Sequence, residues 1–204
     1  MKIKLMKTDK DTLKLLNTEQ IQALLKVIDT KCYTGYRDYC LLMLLLDTGI
    51  RIQEATALTS DDLDFQASTI YLQASNVKTR TGRLIPLSPK VSKLLFNLVQ
   101  ENKKAFNAKE LFLSVYGTPF LKTSFRKRLV AYRDKAGIEG CRVSPHSFRH
   151  YFAKNYILNG GDPFTLQRIL GHADLQMVRK YINMGEGETR IQHNQFSPVQ
   201  RFKF

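Results

Sequence analysis

Apolar residues recur at helical spacing along most of the chain. Ile21, Leu24, Leu25 and Ile28 share one face, behind Thr18, a residue type that caps helices. From about Tyr36 to Asp47 the pattern turns apolar nearly all round. The run Leu41–Leu46 lies at its centre, so this second helix belongs in the core. Gly49 stops it, and Arg51 opens a short third helix over Ile52–Ala57. The period then shortens. Phe65, Ile70, Tyr71 and Leu72 read as one strand or two, and Arg83–Leu87 as another, bounded by Pro86 and Pro89. A basic turn, Asn76–Gly82, lies between, so residues 64–87 are predicted to form a small antiparallel sheet. Helical spacing returns over Pro89–Asn102, and over Thr123–Ala136 with Thr123 as cap and Gly137 as stop. It continues over Pro145–Asn159 before Gly160–Gly161, and over Pro163–Leu170 behind Asp162 as cap. A short helix from Asp174 to about Tyr181 comes last. The expected fold is mainly α with a small antiparallel β-sheet, an α+β domain.

Length and composition narrow this picture. The 204 residues suffice for one domain with a substantial core. Residues 1–16 read as a basic lead-in or linker, 17–185 as the folded domain and 186–204 as a polar tail. The tail carries scattered apolar residues, among them Phe196, Val199 and Phe202. Leu41–Leu46 is the longest apolar run, far short of the roughly 20 residues a membrane helix needs. No signal peptide is visible, because Met1–Lys10 alternates lysine with apolar residues. Cys32, Cys40 and Cys141 form no C-x-x-C pair and read as reduced thiols of a cytoplasmic protein.

Charge points to a partner. Thirty-two Lys and Arg against eighteen Asp and Glu give a net charge of +14, which favours a polyanion, nucleic acid above all. The surplus is concentrated between Lys122 and Arg142, where the acids are only Asp134 and Glu139. On the helix Thr123–Ala136, Phe125, Leu129 and Tyr132 supply an inward face. Arg126, Lys127, Arg128, Arg133 and Lys135 are then expected to point outward, as phosphate contacts on a nearly single-sign face. Arg80 and Arg83 of the hairpin join them as candidate DNA contacts.

Candidate chemistry lies in His146-Ser147-Phe148-Arg149-His150. On a helix His146 sits beside Arg149 and His150. A metal site is disfavoured: Ser147 stands where a zincin helix carries Glu, and Arg149 would repel a dication. A phosphate oxygen suits the group better, since Arg offers a planar fork of donors and His one more. Singly, the other candidates say little. Arg51 has Glu54 three residues on as an ordinary ion-pair partner, Lys78 lies in a turn, His172 follows a helix stop, and Tyr181 is one of nine tyrosines.

Taken in order, they form a pattern. Arg51-x-x-Glu54, Lys78 before Arg83 and Ile85-Pro86-Leu87, His146-x-x-Arg149, Leu170-Gly171-His172 and Tyr181, nine residues after that His, follow one another along the chain. The set resembles the tyrosine recombinase (phage integrase) family, over about residues 17–185. The resemblance implies a catalytic domain in which Tyr181 attacks a DNA phosphodiester and forms a 3′-phosphotyrosyl link. It implies that Arg51 and Arg149 stabilise the phosphoryl charge, with His146 and His172 as further donors and Lys78 as general acid. Glu54 would orient a neighbouring cation. It implies no metal and no cofactor, double-stranded DNA as partner, and four subunits pairing two DNA sites. Two rivals share part of the pattern: a type IB topoisomerase, and a non-cleaving DNA-binding regulator of the same fold. The family also carries an N-terminal core-binding domain of about one hundred residues. Only the lead-in stands in that place, so the chain reads as a catalytic half, and its tail as a candidate anchor on a neighbouring subunit.

Overall fold

A central apolar helix organises the fold. The computed structural model describes residues 16–73 and 82–171 and, in the tail, residues 190, 193–194, 197 and 199. Helix α2 (Tyr33–Thr48) runs through the core, and Cys40, Leu41, Leu42, Leu44 and Leu45 are wholly buried, as a helix apolar all round requires. It packs against α4 (Pro89–Phe106) and α6 (Pro145–Leu158) and adjoins the short α3 (Ile52–Thr56). Helix α1 (Thr18–Lys26) lays Ile21 and Leu24 on this core. Its cap is Asn17 rather than the expected Thr18: the Asn17 side chain accepts from the Gln20 N–H, and Gln20 reaches back to the Asn17 N–H.

The expected sheet is present. Strands β1 (Leu63–Asp64), β2 (Thr69–Leu72) and β3 (Arg83–Pro86) form an antiparallel meander in the order β1-β2-β3, with Ile70 opposite Ile85 and Leu72 opposite Arg83. Alternation buries Ile70, Leu72 and Ile85 and leaves Tyr71 and Leu84 outward. The basic turn lies outside the described residues.

Helix α5 (Lys122–Lys135) starts one residue before the expected boundary. Leu121 stands at its cap position without a side-chain bond, so the cap expected of Thr123 is not made. Helix α7 (Pro163–Leu170) matches its expected bounds, with the Asp162 carboxylate accepting from the Thr165 N–H. It packs on α6 through Ala153, Ile157, Leu166 and Leu170, and its C-terminal end meets β3. Among the described residues no helix is long and apolar enough to cross a membrane. Cys32, Cys40 and Cys141 are free thiols.

A buried ion cluster fixes α5 to α2. Asp38 is fully buried and accepts from Arg37 Nε and Nη2 on one oxygen, at 3.0 and 2.8 Å. Its other oxygen takes the Arg128 Nε and the Tyr132 hydroxyl. Arg37 also donates to the Leu113 carbonyl at 2.7 Å and lies over the Phe120 ring. The outward projection expected of Arg128 is therefore corrected. A carboxylate taken out of water needs cations and donors around it, and Arg128 supplies one.

Candidate active site

Two helices that end in left-handed turns bring the site together. Gly49 (φ +61°) closes α2 and Gly171 (φ +63°) closes α7. The last carbonyls of a helix lack intrahelical partners and carry the negative end of its dipole, so they attract cations. Arg149, on α6 and only 6% exposed, joins the two ends. Its Nη1 donates to the Gly49 carbonyl at 2.5 Å and its Nη2 to the Leu170 carbonyl at 2.9 Å. The approach at Gly49 is close. A Cβ there would lie 2.5 Å from Phe152 Cδ1 and 2.8 Å from Leu170 Cδ2.

Arg51 follows two residues after Gly49, at the mouth of α3. Its Nη1 donates to Glu54 Oε1 at 3.1 Å, and its Nη1 and Nη2 make longer contacts of 3.5 and 3.4 Å with the Leu170 and Gly171 carbonyls. Its side chain is 28% exposed, the most open guanidinium of this group. Glu54 is buried and also accepts the Arg51 backbone N–H at 3.2 Å. Burial alone would raise its pKa. The hydrogen bond and charge of Arg83, and the charge of Arg51, outweigh burial and hold the carboxyl below its ordinary range.

Arg83 is where the structure departs most from expectation. It was expected to contact DNA, but its side chain is 9% exposed and turned inward. Nη1 and Nη2 fork onto the two Glu54 oxygens at 3.3 and 2.7 Å, and Nε donates to the Ile169 carbonyl at 3.0 Å. The physical reason is strand parity. Arg83 and Ile85 share the inner face of β3, while Leu84 is 61% exposed on the other. That parity, together with an acid on the inner side of a short helix, was the signal available in the sequence.

His146 lies in the first turn of α6, exposed, with Nε2 2.8 Å from His150 Nε2. Partial burial, then the charges of Arg149 and Arg142, lower its pKa, which favours the neutral imidazole. The contact with His150 was not anticipated, although the i,i+4 spacing allows it. Among the described residues no group of three or more His, Cys, Asp or Glu is placed to hold a metal. The structure thus brings together Arg51, Glu54 and Arg149, with His146 one helical turn from Arg149. Lys78, Arg80, His172 and Tyr181 lie outside the described residues, as do Phe196 and Phe202 of the tail. On α5, Arg126 and Lys127 are exposed, Arg133 pairs with Asp134, and Lys135 donates to the Val27 carbonyl.

Comparison with known proteins gives the family and the fold. Residues 14–187 match the phage integrase family. The chain is 29% identical over 183 residues to tyrosine recombinase XerC of Chlamydia caviae, covering 88% of this chain and 57% of that protein. It is 29% identical over 196 residues to XerD of Staphylococcus aureus, covering 94% of this chain and 65% of that one. The chain thus spans about three fifths of the length of these relatives. Among solved structures, XerA recombinase superposes with a TM-score of 0.75 at 24% identity, over 94% of this chain and 66% of that one. The Tn1549 transposon integrase in complex with circular intermediate DNA gives 0.75 at 23%, over 93% and 69%. The catalytic domain of bacteriophage HP1 integrase gives 0.64 at 24%, over 93% of this chain and 98% of that one. These likenesses establish the fold.

Proposed function

Because the chain belongs to the phage integrase family, we propose that it is the catalytic domain of a site-specific DNA recombinase, which cuts and rejoins strands through a 3′-phosphotyrosyl intermediate. One observation carries the proposal. Arg51 and Arg149, far apart in sequence, both reach the carbonyls that end α7, Arg149 also holds the Gly49 carbonyl at the end of α2, and the chain continues from α7 into Gly171-His172. Preorganised cations aimed at a phosphoryl group stabilise the charge that grows on its non-bridging oxygens, without reorganisation during the reaction.

The chemistry follows from the side chains. The Tyr181 phenolic oxygen attacks phosphorus, and the bond to the 5′ oxygen breaks. A free tyrosine has a pKa near 10, so its proton needs an acceptor. His146, whose lowered pKa favours the neutral imidazole, takes it. Lys78 gives a proton to the departing 5′ oxygen as general acid, and His172 donates to a non-bridging oxygen. Attack by a second 5′-hydroxyl on the phosphotyrosyl bond returns the protons and frees Tyr181. Double-stranded DNA is the substrate, met in the cytoplasm, and four copies pair two sites. Arg126, Lys127, Arg133 and Lys135 touch the backbone, with Arg80 beside Lys78.

The test starts by selecting bound fragments from random-sequence DNA. A nicked duplex carrying the selected site is then incubated with the protein. A covalent protein–DNA adduct is expected, and it should vanish in Tyr181→Phe. An adduct that survives the substitution rules out Tyr181 as the nucleophile. Relaxation of supercoiled DNA without any pairing of sites would instead support a topoisomerase.

A further inference from the structure

Arg83 has no part in the chemistry just described, yet it makes three hydrogen bonds, of 2.7, 3.0 and 3.3 Å, at the base of the site. We propose that Arg83 is a positioning residue for strand cleavage: it fixes the C-terminal turn of α7 and, through Glu54, the guanidinium fork of Arg51. This rests on the strand-cleavage function proposed above.

The bonds are arranged as a chain of constraints. Arg51 meets the Leu170 and Gly171 carbonyls at 3.5 and 3.4 Å, lengths at which a hydrogen bond orients weakly. Its well-defined partner is Glu54, at 3.1 Å through Nη1 and 3.2 Å through the backbone N–H. Glu54 in turn is set by Arg83, whose planar fork spans both carboxylate oxygens and so fixes the plane of the carboxylate. The third donor, Nε, anchors that plane to the Ile169 carbonyl. The orientation of the partly exposed Arg51 guanidinium thus passes back through a buried carboxylate to a residue that is itself 9% exposed.

The turn after α7 lies on the same guanidinium. A Cβ at Gly171 would stand 2.9 Å from Arg83 Cζ and 2.9 Å from Nη1. The glycine is thus required twice, for its φ of +63° and for its contact with the flat face of Arg83. One side chain therefore fixes both the Arg51 fork and the backbone from which His172 departs. Lysine cannot substitute. Its single ammonium on a flexible stem cannot span two carboxylate oxygens and a carbonyl together.

The test is single-turnover cleavage of the nicked duplex at saturating DNA, with DNA affinity measured in parallel. Rates are expressed per folded molecule, from the near-ultraviolet circular dichroism of each variant. Arg83→Lys should lower the rate about a hundredfold, the scale of a misplacement near 1 Å, while the Kd for DNA changes by less than about threefold. A residue that serves stability alone would change the folded fraction and leave the rate per folded molecule intact. Glu54→Gln should lower the rate by no more than Arg83→Lys does, and the double variant should be no slower than Arg83→Lys alone, because the link through Glu54 to Arg51 is already lost with Arg83. Multiplying rate losses would overturn the proposal. So would unchanged hydrogen-exchange protection of the amides at Leu170 and Gly171 in Arg83→Lys. If the unsubstituted protein forms the adduct and Arg83→Lys forms it equally fast, only the positioning role fails. If the unsubstituted protein binds DNA and forms no adduct, the strand-cleavage function fails and the positioning role with it.

Discussion

Replacing Glu54 by glutamine tests the electrostatics of the site without changing its shape. The carboxylate is 4% exposed and faces two guanidiniums, one 9% and one 28% exposed. Losing one partner of a well-buried pair costs about 3–5 kcal/mol, because the remaining charge is left uncompensated. Gln keeps one acceptor for Arg83, and Arg51 is partly solvated, so the loss expected at pH 7 is about 2–3 kcal/mol. The pH dependence gives a second handle. Glu54 has its folded pKa lowered, by Arg83 and Arg51 acting against burial. Its contribution is therefore complete above the unfolded value, near 4.3 for a glutamate, and is lost as pH falls through the lower folded value. Urea unfolding of both proteins at pH 7 and across the acid range measures the difference. The gap should be full at pH 7 and should narrow well below pH 4.3. A gap under about 0.5 kcal/mol at pH 7, the scale of a neutral surface change, would refute the claim that Glu54 compensates buried charge.

Other consequences can be checked with similar means. Asp38→Ala strands Arg37 in the core and should cost about 3–5 kcal/mol in urea unfolding, a loss that Arg128→Ala should match only in part because Arg128 is more exposed. Gly171→Ala should destabilise by about 1–2 kcal/mol from the positive φ alone, and should also slow cleavage by displacing Arg83, read as adduct formation per folded molecule. Arg126→Ala with Lys127→Ala should reduce the slope of log K against log salt by about two and leave site preference unchanged; an unaltered slope would remove α5 from the DNA interface.

How much of this was legible in the sequence depends on the range of the interaction. Asp162, Pro163 and Gly171 announce α7 through local rules, and its bounds were read correctly. Gly49 did the same for the end of α2. Asn17 and Thr18 are adjacent and both of cap-forming type, and the reciprocal bonds with Gln20 select Asn17. Arg51 and Arg149, proposed to act on the phosphoryl group, are recognisable from their order along the chain. The inward turn of Arg83 and the engagement of Arg128 are not. Both answer to acids distant in sequence, Glu54 and Asp38, and a count of charges along a helix or hairpin does not see them. Strand parity places Arg83 on the inner face with Ile85, whereas the basic composition of the hairpin points it outward.

The grip of Arg149 on Gly49 and Leu170 has a consequence in time. The acceptor carbonyls lie on opposite sides of Arg149 in the chain, 100 residues before it and 21 after it. Closing such spans is the slow, entropically costly part of folding. A nascent chain that has yet to expose α7 has neither the second acceptor for Arg149 nor the carbonyls that Arg51 approaches, and Tyr181 is made later still. On the proposed mechanism, competence to break a DNA strand would therefore be withheld during synthesis until α7 and Tyr181 have emerged.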